Sequence, residues 1–326
     1  MTRLTCLEIC AGAGGQSYGL EQAGFEHLAA IEIDSDACET LRVNRPGWTV
    51  LEADVRDIDG RAYEGVTLLA GGVPCPPFSI AGRQLGADDE RDLFPEALRL
   101  VEEAQPEAVL LENVKGLATA RFADYREGVR QRLADLGYDS DWQVLNSSEH
   151  GVAQLRPRFV LVAMKPEAFK HFAWPRPVHS PSTVGDKLGV LMAEGGWKGA
   201  AAWAKKANGI GPTLVGGSRK HGGPDLGPTR AREAWLRLGV NGKGLADAPP
   251  SADAPEDFVP KLTVKMAAVI QGFPLDWTIS GRKTAAYRQV GNAFPAPVAE
   301  AVGKSIRSAI EAAAAERQLP ALRVVS

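Results

Sequence analysis

Short apolar runs alternate with amphipathic stretches through the first half of the chain. The apolar runs predict strands at "LTCLEIC", "HLAAIEID", "WTVLEADV", "VTLLAGG", "EAVLLENV", "DSDWQVLNS" and "RFVLVAMK". Strands of this kind separated by helices are typical of a doubly wound, mostly parallel sheet. We therefore predict an α/β fold whose ligand crevice lies beyond the carboxyl ends of the strands.

Helical patterns occupy the intervals between these strands. A helix is expected from about residue 35 to residue 44, and "LFPEALRLVEEAQ" tolerates Pro95 in its first turn. The pattern "FADYREGVRQRLADLG" predicts a helix that ends at Gly137. A long helix is predicted from about residue 297 to residue 318. Its apolar stripe comprises Val298, Val302, Ile306, Ala309 and Ile310.

The alternation of strands and helices stops after about Lys165. From there to Pro260 the chain is rich in Gly, Pro, Trp and basic residues, its periodicity is poor, and no repeat is visible. Pro-rich ends are typical of domain joints. We predict one domain formed by residues 1–165 and 261–326, with a smaller inserted domain at residues 166–260.

The charges are distributed unevenly between these regions. The whole chain has a net charge of −3, but residues 166–246 contain twelve Lys or Arg and five Asp or Glu. Their net charge of +7 leaves −10 on the remainder. A basic segment in an acidic chain indicates a surface that faces a polyanion, unless it is a solvated surface with a chance bias.

Several classes of protein are disfavoured by what the sequence does not contain. No apolar run approaches 18 residues, and the N-terminal stretch lacks the apolar region and cleavage site of a signal peptide. The cysteines form no CxxC pair, and the five histidines make no metal-spacing motif with them. We expect a cytoplasmic protein with no membrane span, no disulfide framework and no metal. The cysteines are Cys6, Cys10, Cys38 and Cys75.

A glycine-rich turn separates the first predicted strand from the first helix. Dinucleotide-binding folds and adenosyl-cofactor folds both use such a turn, so it does not by itself choose between them. Glu32 ends the second strand and could accept hydrogen bonds from two ribose hydroxyls. Asp54 ends the third strand and could accept a hydrogen bond from an adenine amino group. Both carboxylates could instead be strand-end caps. The glycines of this turn are Gly12, Gly14, Gly15 and Gly19.

Reactive side chains follow the later strands. Cys75 stands between Pro74 and a second proline after the fourth strand, and Glu112 ends the fifth. Arg156 and Arg158 are two residues apart, a spacing that places side chains on one face of a strand. A single cysteine is usually buried filler. A thiol, a carboxyl group and guanidinium groups at one rim indicate a reactive site instead.

With these residues in place, the sequence resembles the DNA (cytosine-5)-methyltransferases over nearly its whole length except the insert. The matching stretches occur in the family's order: "LEICAGAGGQSYGLEQAG", "AAIEID", "EADVRDI", "GGVPCPPFS", "LLENVKGL", "QLRPRFVLVA", "KLTVKMAAVIQGFP" and "YRQVGNAFPAPVAEAVGKSI". The resemblance implies the fold of S-adenosylmethionine-dependent methyltransferases, with S-adenosylmethionine as methyl donor. It also implies that the insert is a target-recognition domain for double-stranded DNA. We expect a monomer of the bacterial restriction-modification type, with a cognate restriction endonuclease as a candidate partner.

The resemblance also assigns roles to the reactive side chains. Cys75 would add to carbon 6 of cytosine as a thiolate, which turns carbon 5 into a nucleophile. Glu112 would bond the ring N3 and the exocyclic amine, Arg158 would bond O2, and Arg156 would support the site. The target base would have to be flipped out of the duplex. No residue identifies itself as the base that removes the carbon 5 proton.

Eleven positions match those that line the cofactor site in the family. Cys10 stands where family members often have Phe, and Ile33 where some have a Trp that stacks on adenine, so less stacking is expected here. The expected cofactor-binding residues are Ile9, Cys10, Gly12, Gly15, Glu32, Ile33, Asp54, Gly72, Pro74, Leu93 and Asn292.

Two loops are the candidate DNA contacts. The loop after Cys75 offers Ser79, Arg83 and Arg91 to phosphates, unless these are simply solvated. In the insert, "GPTLVGGSRKHGGPDLGPTRAREAW" contains Gly-Gly pairs around a basic cluster that could read guanine in the major groove or touch phosphates only. That cluster comprises Arg219, Lys220 and His221.

Three alternatives remain open at this level. A tRNA cytosine-5 methyltransferase shares the catalytic motifs, and only activity on each substrate separates it from a DNA enzyme. An inactive regulatory homologue is disfavoured by the presence of Cys75, Glu112 and Arg158. A nicotinamide-dependent oxidoreductase would explain the glycine turn but not the Pro-Cys and Glu-Asn-Val stretches.

Overall fold

The computed structural model describes residues 3–74, 92–178, 181–216 and 225–318. Seven of the predicted site residues lie outside these described residues. They are Cys75, Ser79, Arg83, Arg91, Arg219, Lys220 and His221.

A seven-stranded sheet forms the centre of the described structure. Its strands are β1 (Thr5–Ile9), β2 (Glu26–Glu32), β3 (Val50–Glu52), β4 (Leu68–Gly71), β5 (Ala108–Val114), β6 (Asp139–Asn146) and β8 (Pro157–Met164). The strand order is β3-β2-β1-β4-β5-β8-β6. Pairs from β3 to β5 are parallel, whereas β8 is antiparallel to both of its neighbours. The predicted doubly wound, mostly parallel sheet is therefore confirmed, with β8 reversed within it.

Within the described residues, a short second sheet and eleven α-helices accompany this sheet. Strand β7 (Gln154–Leu155) pairs in parallel with β9 (Gly211–Pro212) and so connects the main domain to the insert. The helices are α1 (Gly15–Gln22), α2 (Ser35–Asn44), α3 (Phe94–Ala104), α4 (Ala123–Asp135), α5 (Pro166–Phe169), α6 (Val184–Ala193), α7 (Ala200–Lys206), α8 (Thr229–Arg237), α9 (Val264–Gln271), α10 (Lys283–Asn292) and α11 (Ala296–Gln318).

Successive residues of the central strands enter different cores, because side chains alternate across a sheet. Leu7 of β1 packs in the core under α3 and α4, and Cys6 packs in the opposite core under α1 and α11. In β5, Leu111 and Leu110 divide in the same way. Helices therefore cover both faces, which explains why these strands read as continuous apolar runs.

Helix α11 closes one face of the sheet against α1. The predicted apolar stripe of this helix is buried, which confirms the prediction. The two helices approach closely at Gly19, where a Cβ atom would lie 2.3 Å from the carbonyl oxygen of Ala296. Only a glycine allows this approach, so the contact of α1 with α11 fixes the helix that follows the glycine-rich turn.

A third core joins the insert to the C-terminal helices. Leu188 and Trp235 of the insert pack in the same apolar cluster as Met266 and Ile270 of α9 and Tyr287 of α10. The helices that follow the predicted boundary at Pro260 therefore share a core with the insert. In the part of the chain that the structure describes, no helix has both the length and the apolar composition for a membrane span.

Candidate active site

A cavity of about 730 Å³ opens where β1 and β4 lie side by side. The helix that leaves β1 packs on one face of the sheet and the helix that leaves β4 packs on the other. Such a switch point leaves a crevice at the carboxyl ends of the strands. Cys10, Glu32, Gly72 and Glu112 reach the cavity from the ends of four strands.

Nine of the eleven expected cofactor-binding residues line this cavity. They are Cys10, Gly12, Gly15, Glu32, Ile33, Gly72, Pro74, Leu93 and Asn292. Ile9 instead packs in the core beneath, because the alternation of β1 turns its side chain away from the crevice. The Asp54 carboxylate accepts from the backbone of Arg56 and forms an ion pair with its guanidinium at 3.0 Å. The roles predicted for Ile9 and Asp54 stay predictions.

The glycine-rich turn leaves room for a ligand at one end and packs tightly at the other. Gly12 has a φ of +54°, and a Cβ atom there would meet no atom within 4 Å. At Gly15 a Cβ atom would lie 2.3 Å from the carbonyl oxygen of Phe294. The turn is therefore held from behind and open in front, as a loop that lies against a ligand must be.

Glu32 supports the turn as well as facing the cavity. Its Oε2 accepts the amide of Gly12 at 2.8 Å, and its Oε1 accepts the amides of Ile33 and Asp34, each at 2.9 Å. A carboxylate offers about four lone-pair sites, so these bonds leave about one for a ligand hydroxyl. Glu32 could therefore accept hydrogen bonds from both ribose hydroxyls only if one of its three bonds to backbone amides were shared or broken.

The sequence reasoning missed several polar residues that line the cavity. The side chain of Gln16 is buried in the first turn of α1, and neither of its amide atoms has a hydrogen-bond partner among the described residues. Arg288 of α10 reaches the cavity from far along the chain and forms an ion pair with Asp34 at 3.1 Å. Nothing local marks Arg288, whereas the position of Gln16 directly after the glycines could have identified it.

Glu112 and Arg158 form a buried ion pair at the other end of the cavity. Arg158 Nε lies 2.6 Å from Glu112 Oε1, and both side chains are about nine-tenths buried. Burial raises the pKa of Glu112, and the positive charges of Arg158 and then Arg156 oppose that rise. Burial likewise lowers the pKa values of both arginines. Glu112 can therefore hold a proton more readily than an exposed glutamate.

The segment before Cys75 is anchored on both sides. The Asn113 side chain donates to the carbonyl of Val73 at 2.9 Å, which fixes the end of β4 against β5. The amide of Leu93 donates to the carbonyl of Pro74 at 3.1 Å. This bond joins the two ends of the segment at residues 75–91, so the residue that precedes the predicted nucleophile is held beside Glu112 and Asn113.

Gln154 and Arg156 hold Leu214 of the insert through both of its backbone groups. Gln154 Oε1 accepts the amide of Leu214 at 2.7 Å, and Arg156 Nη1 donates to the carbonyl of Leu214 at 2.7 Å. The second nitrogen of Arg156 donates to the carbonyl of Gly291 at 2.6 Å. Arg156 lies between β7 and β8 rather than in one strand with Arg158, and its contacts make it a link between the insert and α10.

The described cysteines have the properties of thiols rather than thiolates. Burial raises the pKa of Cys6, of Cys10, and of Cys38, the last to about 11. The carboxylates of Glu32 and Asp54 add to the rise at Cys10. Cys10 therefore faces the cavity in a form unsuited to nucleophilic attack. Within the described ranges, no group of His, Cys, Asp and Glu is arranged to hold a metal ion.

Comparisons with known proteins agree with this arrangement. The family described as C-5 cytosine-specific DNA methylase matches residues 4–308. The type II methyltransferase M.NaeI of Lentzea aerocolonigenes is 55% identical over 95% of this chain and 76% of its own length. The type II methyltransferase M.NgoMIV of Neisseria gonorrhoeae is 51% identical over 95% of this chain and 99% of its own.

A solved structure supports the fold independently. An E. coli prophage protein, described there as a DNA modification methyltransferase, superposes with a TM-score of 0.67 at 22% identity. The match covers 94% of this chain and 99% of that one. At this identity the likeness establishes a shared fold.

The clamp on Leu214 predicts a measurable contribution to stability. Gln154→Ala removes the acceptor for the Leu214 amide and the donor to Gln271, which lies 2.8 Å away. Leaving buried partners unpaired costs about 1–3 kcal/mol, so we expect the free energy of unfolding in urea to fall by about 2 kcal/mol. The matched control is Gln131→Ala, which removes one exposed bond to Asp135 and should change it by less than about 0.5 kcal/mol. Equal effects of the two substitutions would contradict the clamp.

Proposed function

Because the chain belongs to the C-5 cytosine-specific DNA methylase family, we propose that it transfers a methyl group from S-adenosylmethionine to carbon 5 of a flipped-out cytosine in a specific double-stranded DNA sequence. The observation that carries the proposal is the buried pair of Glu112 and Arg158 in the same cavity as the glycine-rich turn. A carboxyl group, a guanidinium group and a nucleotide-type turn meet there, as a methyl transfer to a base requires. The two similar proteins of Lentzea aerocolonigenes and Neisseria gonorrhoeae are named as type II methyltransferases, which supports the proposal.

The residues of the cavity fit S-adenosylmethionine. Gly12 leaves open space beside the turn, and Glu32 retains one acceptor site suited to a ribose hydroxyl. Gln16 offers an unpartnered donor and an acceptor at the start of α1, a position suited to the polar end of the methionyl group. When bound, the cofactor supplies a methyl group on a positively charged sulfur. Cys10 and Ile33 line the site without aromatic rings, so shape and hydrogen bonds carry more of the binding.

We assign the nucleophile to Cys75. A thiolate there would form a bond to carbon 6 of cytosine, and the electron pair of the 5,6 double bond would become available at carbon 5. After carbon 5 has gained the methyl group, its proton leaves to a base, the double bond re-forms and the thiolate is expelled. The three described cysteines support this assignment by exclusion, because burial raises the pKa of each.

Glu112 and Arg158 would stabilise the ring while charge develops on it. Because its pKa is raised, Glu112 takes up a proton more readily than an exposed glutamate, and the protonated form can donate to N3 while its other oxygen accepts from the exocyclic amine. The guanidinium of Arg158 lies beside the same carboxyl group and would donate to O2. Both side chains are buried, so the base has to leave the helix to reach them.

The insert is proposed to read the target in duplex DNA. Leu214 precedes the predicted recognition cluster. Its carbonyl accepts from Arg156, which is two residues from Arg158, so the insert is held close to the residues proposed to bind the base. We further propose that the enzyme acts as a monomer and that a restriction endonuclease of the same specificity accompanies it, as expected for a relative of type II methyltransferases.

The assignment of Glu32 predicts a loss of cofactor affinity. Glu32→Ala removes the acceptor for the ligand and for the amide of Gly12, so the dissociation constant of S-adenosylhomocysteine should rise at least about tenfold in calorimetry. The matched control is Glu52→Ala on the neighbouring strand β3, where an exposed carboxylate pairs with Arg42 at 3.3 Å. It removes the same charge and should leave the affinity within about twofold. Unchanged affinity in Glu32→Ala would refute the assignment.

The pKa of Glu112 predicts the form of the pH profile. Since its pKa is raised, the protonated carboxyl persists above the usual range, and kcat should fall as the pH rises through the raised pKa. Glu112→Gln carries a permanent donor that cannot titrate. We expect its maximal kcat to drop by about 10²–10⁴ and its alkaline decline to disappear. If the alkaline decline remained in this variant, Glu112 would not be the group responsible.

The covalent step predicts a trapped complex. With 5-fluorocytosine at the target, transfer can proceed but elimination cannot, because the fluorine does not leave as a proton does. In the presence of S-adenosylmethionine, wild-type enzyme and fluorinated duplex should give a complex that survives denaturing electrophoresis. Cys75→Ser should abolish it, because a serine hydroxyl is scarcely ionised at neutral pH.

Two comparisons make the trapping experiment decisive. Cys38→Ser is the matched control, because Cys38 is buried near the cofactor site and should be replaceable without loss of trapping. Trapping on fluorinated tRNA but not on duplex DNA would favour the tRNA alternative. A complex that persists in Cys75→Ser, or none with wild type on a methylatable duplex, would overturn the proposed mechanism.

A further inference from the structure

A tryptophan from the C-terminal part of the chain contacts the back of the glycine-rich turn. Trp277 lies between α9 and α10 and is 5% exposed. Its indole Nε1 donates to the carbonyl of Ala13 at 3.0 Å. Ala13 lines the cofactor cavity between Gly12 and Gly15, so this hydrogen bond fixes the middle of the turn from the side opposite the ligand.

The ring of Trp277 also fills the space that Gly14 leaves. Gly14 has a φ of +86°, and a Cβ atom there would lie 2.8 Å from Trp277 Cζ2 and 2.7 Å from Leu41 Cδ2. The tryptophan ring therefore packs directly against the backbone of a residue in the left-handed conformation. A loosened ring would leave that conformation without support on this side.

A second layer holds the ring in place. The guanidinium of Arg45 lies 5.0 Å from the centroid of the Trp277 ring and is fixed by Glu21, whose oxygens lie 2.7–3.0 Å from its nitrogens. The hydrogen bond and the charge of Glu21 raise the pKa of Arg45, so the cation is permanent. The ring of Tyr18 also packs against Trp277, in a tilted arrangement with the two ring centroids 5.5 Å apart. Cation–π contact of this kind restrains an aromatic ring.

The backbone next to Trp277 is tied to α2. Asn44 donates from Nδ2 to the carbonyl of Thr278 at 2.7 Å, and its Oδ1 accepts the amide of Thr278 at 2.8 Å. This pair of bonds prevents the segment from moving away from the cofactor-binding half of the sheet. Trp277 is thus fixed through its ring by Arg45 and through its backbone by Asn44.

We propose that Trp277 is a positioning residue for S-adenosylmethionine, which holds the glycine-rich turn in its binding conformation through the Ala13 carbonyl and the Gly14 backbone. The inference rests on the proposed cofactor. Trp277 is not among the described residues that line the cavity, so its effect on the cofactor is indirect. If only about one molecule in ten keeps the binding conformation once the indole N–H is removed, the apparent dissociation constant rises about tenfold.

The test compares two tryptophans that make the same hydrogen bond. Trp277→Phe removes the donor and keeps an aromatic ring. The matched control is Trp203→Phe in α7, because Trp203 is 4% exposed and its Nε1 donates to the carbonyl of Gly239 at 2.8 Å, within the insert. Calorimetry with S-adenosylhomocysteine on the full-length protein measures affinity, and thermal unfolding measures stability.

A positioning role and a merely structural role give different results. We expect similar losses of stability in both variants, but a rise of about tenfold in the dissociation constant of S-adenosylhomocysteine only in Trp277→Phe. In Trp277→Phe the KM for S-adenosylmethionine should rise, whereas kcat should stay within about twofold of the wild-type value. The affinity for duplex DNA should not change. Equal affinities for S-adenosylhomocysteine in the two variants and wild type would overturn the proposal.

A second variant covers the case in which Trp277→Phe does not fold. Asn44→Ala leaves Trp277 intact and removes the two bonds to Thr278. It should raise the same dissociation constant about threefold, and no rise would count against the proposal. If wild-type protein fails to bind S-adenosylhomocysteine, the proposed function is contradicted and the inference falls with it. If wild type binds and the Trp277 and Asn44 variants bind equally well, only the inference fails.

Discussion

Two guanidinium groups and one carboxyl group are buried together where β5 and β8 meet, and the rest of the site is arranged around their charge. Glu112 neutralises Arg158 at 2.6 Å, but Arg156 has no carboxylate within its hydrogen bonds. A buried charge without compensation is costly, so Arg156 requires other oxygens. It finds them in the carbonyls of Leu214 and Gly291, which belong to the insert and to α10. The buried guanidinium of Arg156 therefore joins three parts of the chain: the start of β8, the insert and α10.

The same charge suits the proposed reaction. With Glu112 ionised the cluster of Glu112, Arg156 and Arg158 carries a net positive charge, and with Glu112 protonated it carries more. A buried positive field favours a thiolate and stabilises negative charge that develops on the cytosine ring. The carbonyl groups that accept from the two Nη atoms of Arg156 are already held in place, Gly291 within α10 and Leu214 through the bond of its amide to Gln154, so they need not reorganise during the reaction. A structural requirement of the fold and an electrostatic requirement of the chemistry are met by the same residues.

The sequence predicted those parts that depend on local pattern. Strand ends, the glycine-rich turn and Glu112 followed from periodicity and from the order of motifs, because each is determined within about ten residues. The direction of β8 did not follow, since an apolar run does not reveal whether its neighbour is parallel. Ile9 was expected in the cofactor site from the resemblance; its side chain packs in the core, and its role at the cofactor stays a prediction.

The residues missed by sequence reasoning act across long separations. Arg288 meets Asp34, and Trp277 meets Ala13, over more than 250 residues each. No short motif records such a contact, and only the packing of α10 and the segment before it against α1 and α2 creates it. Gln16 was accessible to reasoning, because a polar side chain directly after the glycines enters a helix start beside the ligand.

The turn at the end of α10 belongs to both halves of the site. Asn292 lines the cofactor cavity, while a Cβ atom on Gly291 would lie 2.2 Å from the backbone nitrogen of Gly216 in the insert. The carbonyl of Gly291 is also held by Arg156. Because no free space separates the backbones of Gly216 and Gly291, the insert cannot press toward α10 at this point without displacing the turn that carries Asn292. The part of the chain proposed to read DNA and the part proposed to bind the cofactor are therefore in direct backbone contact at this point. The glycines at both positions make that contact possible.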